Sequence, residues 1–455
     1  MKSMRRLTPE QSISADLQPT EGPEAQTTCR RSDGAFNLSR VDFVSDLFVA
    51  NVATRPVRYL APVTTIQQRW AHVITVVLAV WVGQSFARFS FGLLLPAMKS
   101  DLAISYGLAG WLGTINLLGY LVGTVLATSA SLRIAPHRLM QFGVAVSTLG
   151  IGVLSATRST PLLLIGMALG GIGGASAWIP APVVAASVFP THRRGFAMGL
   201  CSAGIGMGIV VVTIGTTIAR NVAGTATLWR PIWLIETGVG ALTTLLTFVL
   251  LRPIPIVPGS PPRLSVLRRV PTWWAPAAAY TCFGLGYVLF ATYVVAALER
   301  DAGFNTAQSS RVFALMGVGN ALGALGIGRL SDRIGRRITM FVCFALAGVG
   351  CLAVLAGTEP LVSIATLGFG FGMSGGVVSI ASYVGDHVRP QDFSAAFGVI
   401  TAFFGLAQMI GPRLGGWMAN RFESFTWVFV LAATMWFIGS VFASRLPRDD
   451  KRRES

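Results

Sequence analysis

"RPIPIVPGSPPRLSVLRRVP", residues 252–271, interrupts an otherwise apolar chain. It holds six of the 23 prolines together with four arginines. A prolyl ring removes a backbone donor and clashes with the preceding turn, so such a run does not continue a helix. Upstream of it, apolar runs of bilayer-spanning length, about 20 residues each, cover 70–97, 106–130, 138–157, 161–188, 195–218 and 229–251. Downstream they cover 273–298, 307–330, 338–357, 361–386, 393–420 and 426–445. Six spans therefore stand on each side, and the break reads as a linker between two helical halves.

Composition agrees. Hydrophobic residues make up 53% of the 455 and charged ones only 12%, against about 25% charged in a soluble domain. The 51 glycines suit packed membrane helices. The formal charge of +17 is explained by where it falls. One set of inter-span loops carries Arg133, Arg138, Arg193, Arg194, Arg329, Arg333, Arg336 and Arg337, beside the arginines of the break. The opposite set has few: Lys99, Arg158, Arg220, Arg230, Arg300, Arg311 and Arg421. Basic loops stay in the cytoplasm, so both termini are expected there, and no nucleic-acid partner is invoked. The partner is the lipid bilayer.

Five regions are expected. Residues 1–69 form a polar cytoplasmic tail, expected to be disordered, in which "VDFVSDLFVANVA" (41–53) has the makings of a short interfacial helix. No charged, apolar and cleavage-site succession is found there, so no signal peptide is expected. Residues 70–251 form the first bundle, 252–272 the linker, 273–446 the second bundle and 447–455 a basic tail. Cys29 is in the tail; Cys201, Cys282, Cys343 and Cys351 sit in apolar runs without pairing or metal spacing and read as small core residues.

The halves repeat at an offset of about 200. "SLRI" (131–134) matches "SDRI" (331–334), "FAMG" (196–199) matches "AAFG" (395–398), and "GIGGAS" (171–176) lies opposite "GFGMSG" (370–375). Duplicated six-span halves with a site between them near mid-membrane are a transporter signature.

"GRLSDRIGRR" (328–337) resembles the cytoplasmic loop motif of the major facilitator superfamily. In it, Gly328 is expected to allow close helix approach and Gly335 a tight turn, while Asp332 pairs with nearby arginines among Arg333, Arg336 and Arg337. The resemblance implies a gating latch. The first-half string "SASLRIAPHR" has Leu132 where the family usually has Asp, which puts an N-terminal latch in doubt. "GLAQMIGPRLGG" (405–416) resembles the superfamily's Gly-Pro interface element, with Gly411, Pro412, Gly415 and Gly416. "ARFSFGLLLPAM" (87–98), "AGWLGTINLLGY" (109–120) and "FGLGYVLFATY" (283–293) look like its YbfB/YjiJ branch. What the resemblance implies is an all-α membrane protein with twelve transmembrane helices in two pseudo-symmetric six-helix bundles, placed in a bacterial inner membrane, monomeric and without cofactor.

An enzyme reading fails on placement. "GFGMSG" satisfies a dinucleotide fingerprint and "GMSGG" (372–376) a nucleophile elbow, but both lie inside a span with no βαβ unit. A serine nucleophile needs a base at its depth, and His72, His137, His192 and His387 fall at span ends or in loops. Helix-packing glycines are the better reading.

Few charges lie inside spans: Arg88, Glu236 and Arg413, with Asp386 near a span end. A mid-membrane guanidinium costs about 2.5–3.5 kcal/mol, so something offsets Arg88. Either Glu236 pairs with it, holding spans 1 and 6 together, or Arg88 faces a cavity and binds an anionic substrate group. Glu236, the only carboxylate well inside a span, is the candidate for proton coupling. Further candidates for the cavity wall are Asn116, Trp178, Tyr287, Tyr293, Asn320, Tyr383 and Gln408. The expected function is secondary active transport of a small organic solute, an organic anion first, by alternating access and coupled to protons. Export of hydrophobic compounds by proton antiport and a non-transporting membrane sensor are the alternatives.

Overall fold

A computed structural model describes residues 66–189, 194–225, 227–256, 267, 270–389 and 392–447. Most of the expected N-terminal tail, with Cys29 and segment 41–53, lies outside the described residues, as do His192, most of the linker's middle and all but the first residue of 447–455.

Among the described residues, twelve helices are long and apolar enough to cross a membrane. They are α1 Ile66–Leu102, α2 Tyr106–Ala130, α3 Pro136–Ala156, α4 Thr160–Ala186, α5 Arg194–Ala223 and α6 Arg230–Leu250. After the linker come α7 Trp274–Arg300, α8 Thr306–Ile334, α9 Arg336–Ala356, α10 Glu359–His387, α11 Phe393–Arg421 and α12 Thr426–Ser444. Local chemistry sets the ends. Ser105 caps α2 by accepting from the Leu108 amide at 3.2 Å, and Asn305 with Gln308 forms a capping box on α8. Prolines open α3, α4, α6 and α10 at positions where no amide partner is needed. Gly335, at φ +92°, supplies the tight turn between α8 and α9 that its place in "GRLSDRIGRR" suggests.

The two halves pack by the same plan. α4 packs on α2 and α3, and α3 on α6; correspondingly α10 packs on α8 and α9, and α9 on α12. The repeat extends to single residues. A Cβ at Gly119 or Gly123 would strike the α4 backbone at Ala168 or Ile172. Two hundred positions on, Gly319 and Gly323 meet the α10 backbone at Leu367 and Phe371. Apolar contact alone does not drive helix association in lipid, so close packing of small residues does that work. "GFGMSG" belongs to this scheme: Gly370 abuts the Met316 carbonyl and Gly372 that of Cys343. Cys201, Cys282, Cys343 and Cys351 are free and buried.

Three helix pairs join the halves: α1 with α7, α2 with α11, and α5 with α8. The described ends of the linker are tied down. The Ile254 amide donates to His137 Nδ1 at 3.0 Å, and the Tyr383 hydroxyl donates to the Pro271 carbonyl at 2.9 Å. Gly328 departs from expectation, since a Cβ there would meet nothing within 4 Å. Among the described residues no helix comes within contact distance at that point.

Candidate functional site

The site begins with an irregularity in α1. Residues Trp81–Phe89 form a π-helical segment, a wider turn that shifts hydrogen-bonding partners and re-aims side chains. Its neighbours hold it. Gln84 Nε2 donates to the Gly174 carbonyl at 3.0 Å, and Ser85 Oγ donates to that of Ile205 at 3.0 Å. Asn116 Nδ2 donates to the carbonyls of Ala87 at 3.0 Å and Met167 at 2.9 Å. In lipid every backbone polar group needs a partner inside the protein; Asn116 supplies one to the segment's Ala87 carbonyl, while Gln84 and Ser85 tie the segment to α4 and α5. Asn116 is buried in this role, stapling α2 to α1 and α4.

Arg88 leaves this segment toward the other half. Its Nη2 donates to the Tyr287 hydroxyl on α7 and to Gln408 Oε1 on α11. The Tyr287 hydroxyl donates in turn to Gln408 Oε1 at 2.6 Å. The guanidinium carbon stands 4.7 Å from the centre of the Tyr120 ring and 5.6 Å from that of Tyr287. Among the described residues no carboxylate lies within ion-pair distance of Arg88.

Glu236 is therefore not its partner. Glu236 is 3% exposed; Oε1 accepts from Ser90 Oγ at 2.7 Å, and Oε2 has no partner. Ser90 follows Arg88 by two positions, about 200° around a helix. One faces α6 and the other faces the opposite half. The structural alternative, an Arg88–Glu236 pair, is not what forms.

On the side of Lys99 and Asp101 the site is covered. A void of about 20 Å³ bordered by Arg88, Phe91, Asn116, Tyr287 and Pro412 holds one water-sized sphere. Beyond it the halves close up. Gly92 abuts the Ala291 carbonyl, Gly110 that of Pro412, and Gly416 that of Tyr106. Pro412 and Gly416 thus join the halves as interface residues, whereas Gly411 and Gly415 face Val288 and Tyr293 within the second half. Toward the opposite, arginine-rich end runs an aromatic ladder. Tyr287 stacks on Phe404 at 5.7 Å, Phe404 on Tyr280 at 4.5 Å, and Tyr280 on Phe397 at 6.2 Å.

Of the candidates for the cavity wall, the structure brings Tyr287 and Gln408 to Arg88 and places Asn116 behind it. The others stand elsewhere. The Tyr293 hydroxyl donates to the Pro412 carbonyl and Tyr383 anchors the linker. Asn320 is 5% exposed on α8 with Oδ1 unpartnered, and Trp178 packs against the core from α4. Tyr120, Tyr280 and Phe404 were not singled out from sequence. Tyr120 lies one helical turn from Asn116, on the same face, which is the signal that would have found it.

At the arginine-rich end Asp332 pairs with Arg336 at 2.6 Å, and Arg336 Nε reaches Asp386 Oδ2 at 3.0 Å. This network ties α8, α9 and α10 of one half. Arg333 is exposed and Arg337 half-buried beside it. Leu132, at the matching first-half position, is exposed.

Known proteins share this architecture. The chain is similar to mouse monocarboxylate transporter 11, 26% identical over 79% of this chain and 83% of the mouse protein. It is also similar to the uncharacterized transporter YycB of Bacillus subtilis, 22% identical over 75% and 85% respectively. Among solved structures, a bacterial homologue of the human lysosomal transporter Spinster, inward-facing and unoccupied, superposes with a TM-score of 0.66 at 16% identity, over 83% of this chain and 98% of that one. The family model described as uncharacterised MFS-type transporter YbfB matches residues 80–444. Its twelve spans, its duplicated halves and that match together make this chain a member of the YbfB-like family of major facilitator superfamily transporters, which are not enzymes.

Proposed function

We propose that the protein carries a small organic anion across a bacterial inner membrane by alternating access, with the anion's charged group held by Arg88. The observation that carries this reading is the set of partners Arg88 has. A full positive charge inside a span is met only by neutral oxygens and aromatic faces, so its electrostatic demand is unfilled. A carboxylate replacing Tyr287 and Gln408 would form the stronger, charge-assisted bond. Those two residues belong to the opposite half, so the exchange also removes a bond between halves, which links ligand binding to their rocking against each other. Residues 70–251 and 273–446 are the two moving units in this reading, with the arginine-rich end in the cytoplasm. The anion class is in keeping with the relative named a monocarboxylate transporter.

One observation favours the second reading, export of hydrophobic compounds: the ladder Tyr287–Phe404–Tyr280–Phe397 offers flat apolar faces. Thermal stabilisation of the purified protein against a chemically varied solute panel separates the two. A ligand stabilises only if it favours the folded state, by about 2.7 kcal/mol at a hundredfold excess over Kd. Organic anions are expected to raise the melting temperature of the wild type and to leave Arg88→Ala unmoved. If neutral or cationic hydrophobic compounds shift both proteins alike, the anion reading is wrong.

A further inference from the structure

A second arginine lies in a different setting. Arg413, half-buried on α11, borders a groove of about 540 Å³ between α2 and α11. The groove opens outward: Trp111, Leu118, Ile410 and Trp417 along it are 46%, 39%, 55% and 49% exposed. In a spanning helix such exposure faces lipid. The Arg413 guanidinium carbon stands 5.3 Å from the Trp111 ring centre. Among the described residues no carboxylate lies within ion-pair distance of it.

Depth identifies the occupant. Trp111 is five residues into α2 and Trp417 four from the end of α11, so both lie roughly 6–8 Å inside the helix ends nearest Lys99 and Asp101. Tryptophan at that depth marks the boundary between headgroups and acyl chains. The guanidinium beside Trp111 is level with it, while Leu118 and Ile410 continue the groove toward the bilayer centre. A cation at headgroup depth above an apolar trough matches one anionic headgroup carrying an acyl chain. We propose that this groove binds an anionic phospholipid of the leaflet at the Asp101 end, with its phosphate on Arg413 and one chain along Leu118 and Ile410.

The position gives the lipid a task. The groove follows the seam where the Arg413 amide donates to Thr114 Oγ1 at 3.2 Å and Thr114 Oγ1 donates to the Met409 carbonyl at 3.0 Å. One wall comes from each half, so a lipid seated there favours the arrangement in which this end is closed. The site is separate from Arg88 and does not depend on which solute is carried.

Native mass spectrometry of the delipidated full-length protein tests it, with dioleoylphosphatidylglycerol, dioleoylphosphatidylcholine and oleate as probes. An arginine near a charged membrane surface contributes about 1 kcal/mol, so the wild type is expected to prefer phosphatidylglycerol over phosphatidylcholine roughly fivefold. Arg413→Gln is expected to abolish that preference and Arg413→Lys to keep most of it. Leu118→Trp, which fills the trough without touching the charge, is expected to lower retention of both phospholipids, and it serves where Arg413→Gln does not purify. An unchanged preference in Arg413→Gln, or unchanged retention in Leu118→Trp, overturns the site. Loss of oleate alone in Arg413→Gln replaces the phospholipid with a free fatty acid and overturns the proposal as stated.

Discussion

At the residue scale the pivotal pair is Arg88 and Ser90, two positions apart in sequence and opposed in space. Ser90 Oγ donates to Glu236 at 2.7 Å, while Arg88 bonds across to α7 and α11. A change at Glu236 thus acts on Arg88 through the backbone of α1, with no contact between the two charged groups. The carboxylate accepts from Ser90; once protonated it also carries a donor, which alters how the π segment is held. Glu236→Gln keeps the shape and an acceptor for Ser90 but carries no exchangeable proton of this kind. It is expected to fold as the wild type does and to exchange solute across proteoliposomes at a comparable rate, yet to lose accumulation driven by a pH gradient. Full gradient-driven accumulation by the variant would remove Glu236 from the coupling step. The sequence showed which charges lie inside spans but not which way they face. A helix turns about 100° per residue, and one wide turn upstream re-aims everything after it, so the choice between Glu236 and a cavity for Arg88 was open until the π segment was seen. Tyr293, six residues beyond Tyr287, points for a related reason to a different side of α7, where its hydroxyl donates to the Pro412 carbonyl.

At the element scale the helices were legible because length and apolarity define them. Every described span lies within a few residues of its expected place, and α1 is already helical at Ile66, four residues before Trp70. Helix partners were less legible, because packing glycines look alike in sequence. Gly328 sits in a motif that suggests close approach and has open space beside it, whereas Gly110, in a run from which no close approach is expected, meets the Pro412 carbonyl. That contact joins α2 to α11, so added bulk there acts on the closure of the halves. Gly110→Ala is expected to destabilise the seam by about 1–3 kcal/mol, the usual cost of overpacking. It should also lengthen distances between spin labels at Ser159, just before α4, and Ala307, in the first turn of α8, which belong to opposite halves at this end. Gly238→Ala on α6 is the control: a Cβ there meets nothing within 4 Å, so the variant should gain about 0.5–1 kcal/mol from helix propensity. If both variants leave melting temperature and label distances alike, the seam does not govern closure.

At the scale of the whole molecule, orientation rests on charge, and the structure sharpens what counting basic residues suggests. At the Asp101 end the basic side chains are largely answered. Arg158 and Arg230 share Asp101, Arg300 lies beside Asp301, Arg311 pairs with Glu359, and Lys99 stands over the Tyr106 ring. At the opposite end the loops and helix ends carry Arg133, Arg138, Arg252, Arg329, Arg333 and Arg337 in addition to the paired Arg336 and Arg389, which is more positive charge than Asp332, Asp386 and Asp392 can balance. Basic residues near the ends of spans resist translocation, so that end is expected in the cytoplasm with both termini. The described native cysteines are buried, so single reporters are practical once Cys29 is changed to Ser. In intact spheroplasts an impermeant maleimide is expected to label Ser159→Cys at the Asp101 end and to spare Leu132→Cys at the other until the membrane is opened. Labelling in the reverse order would place the arginine-rich end outside, and the Asp332–Arg336–Asp386 network would then lie on the outer face instead of at a cytoplasmic gate.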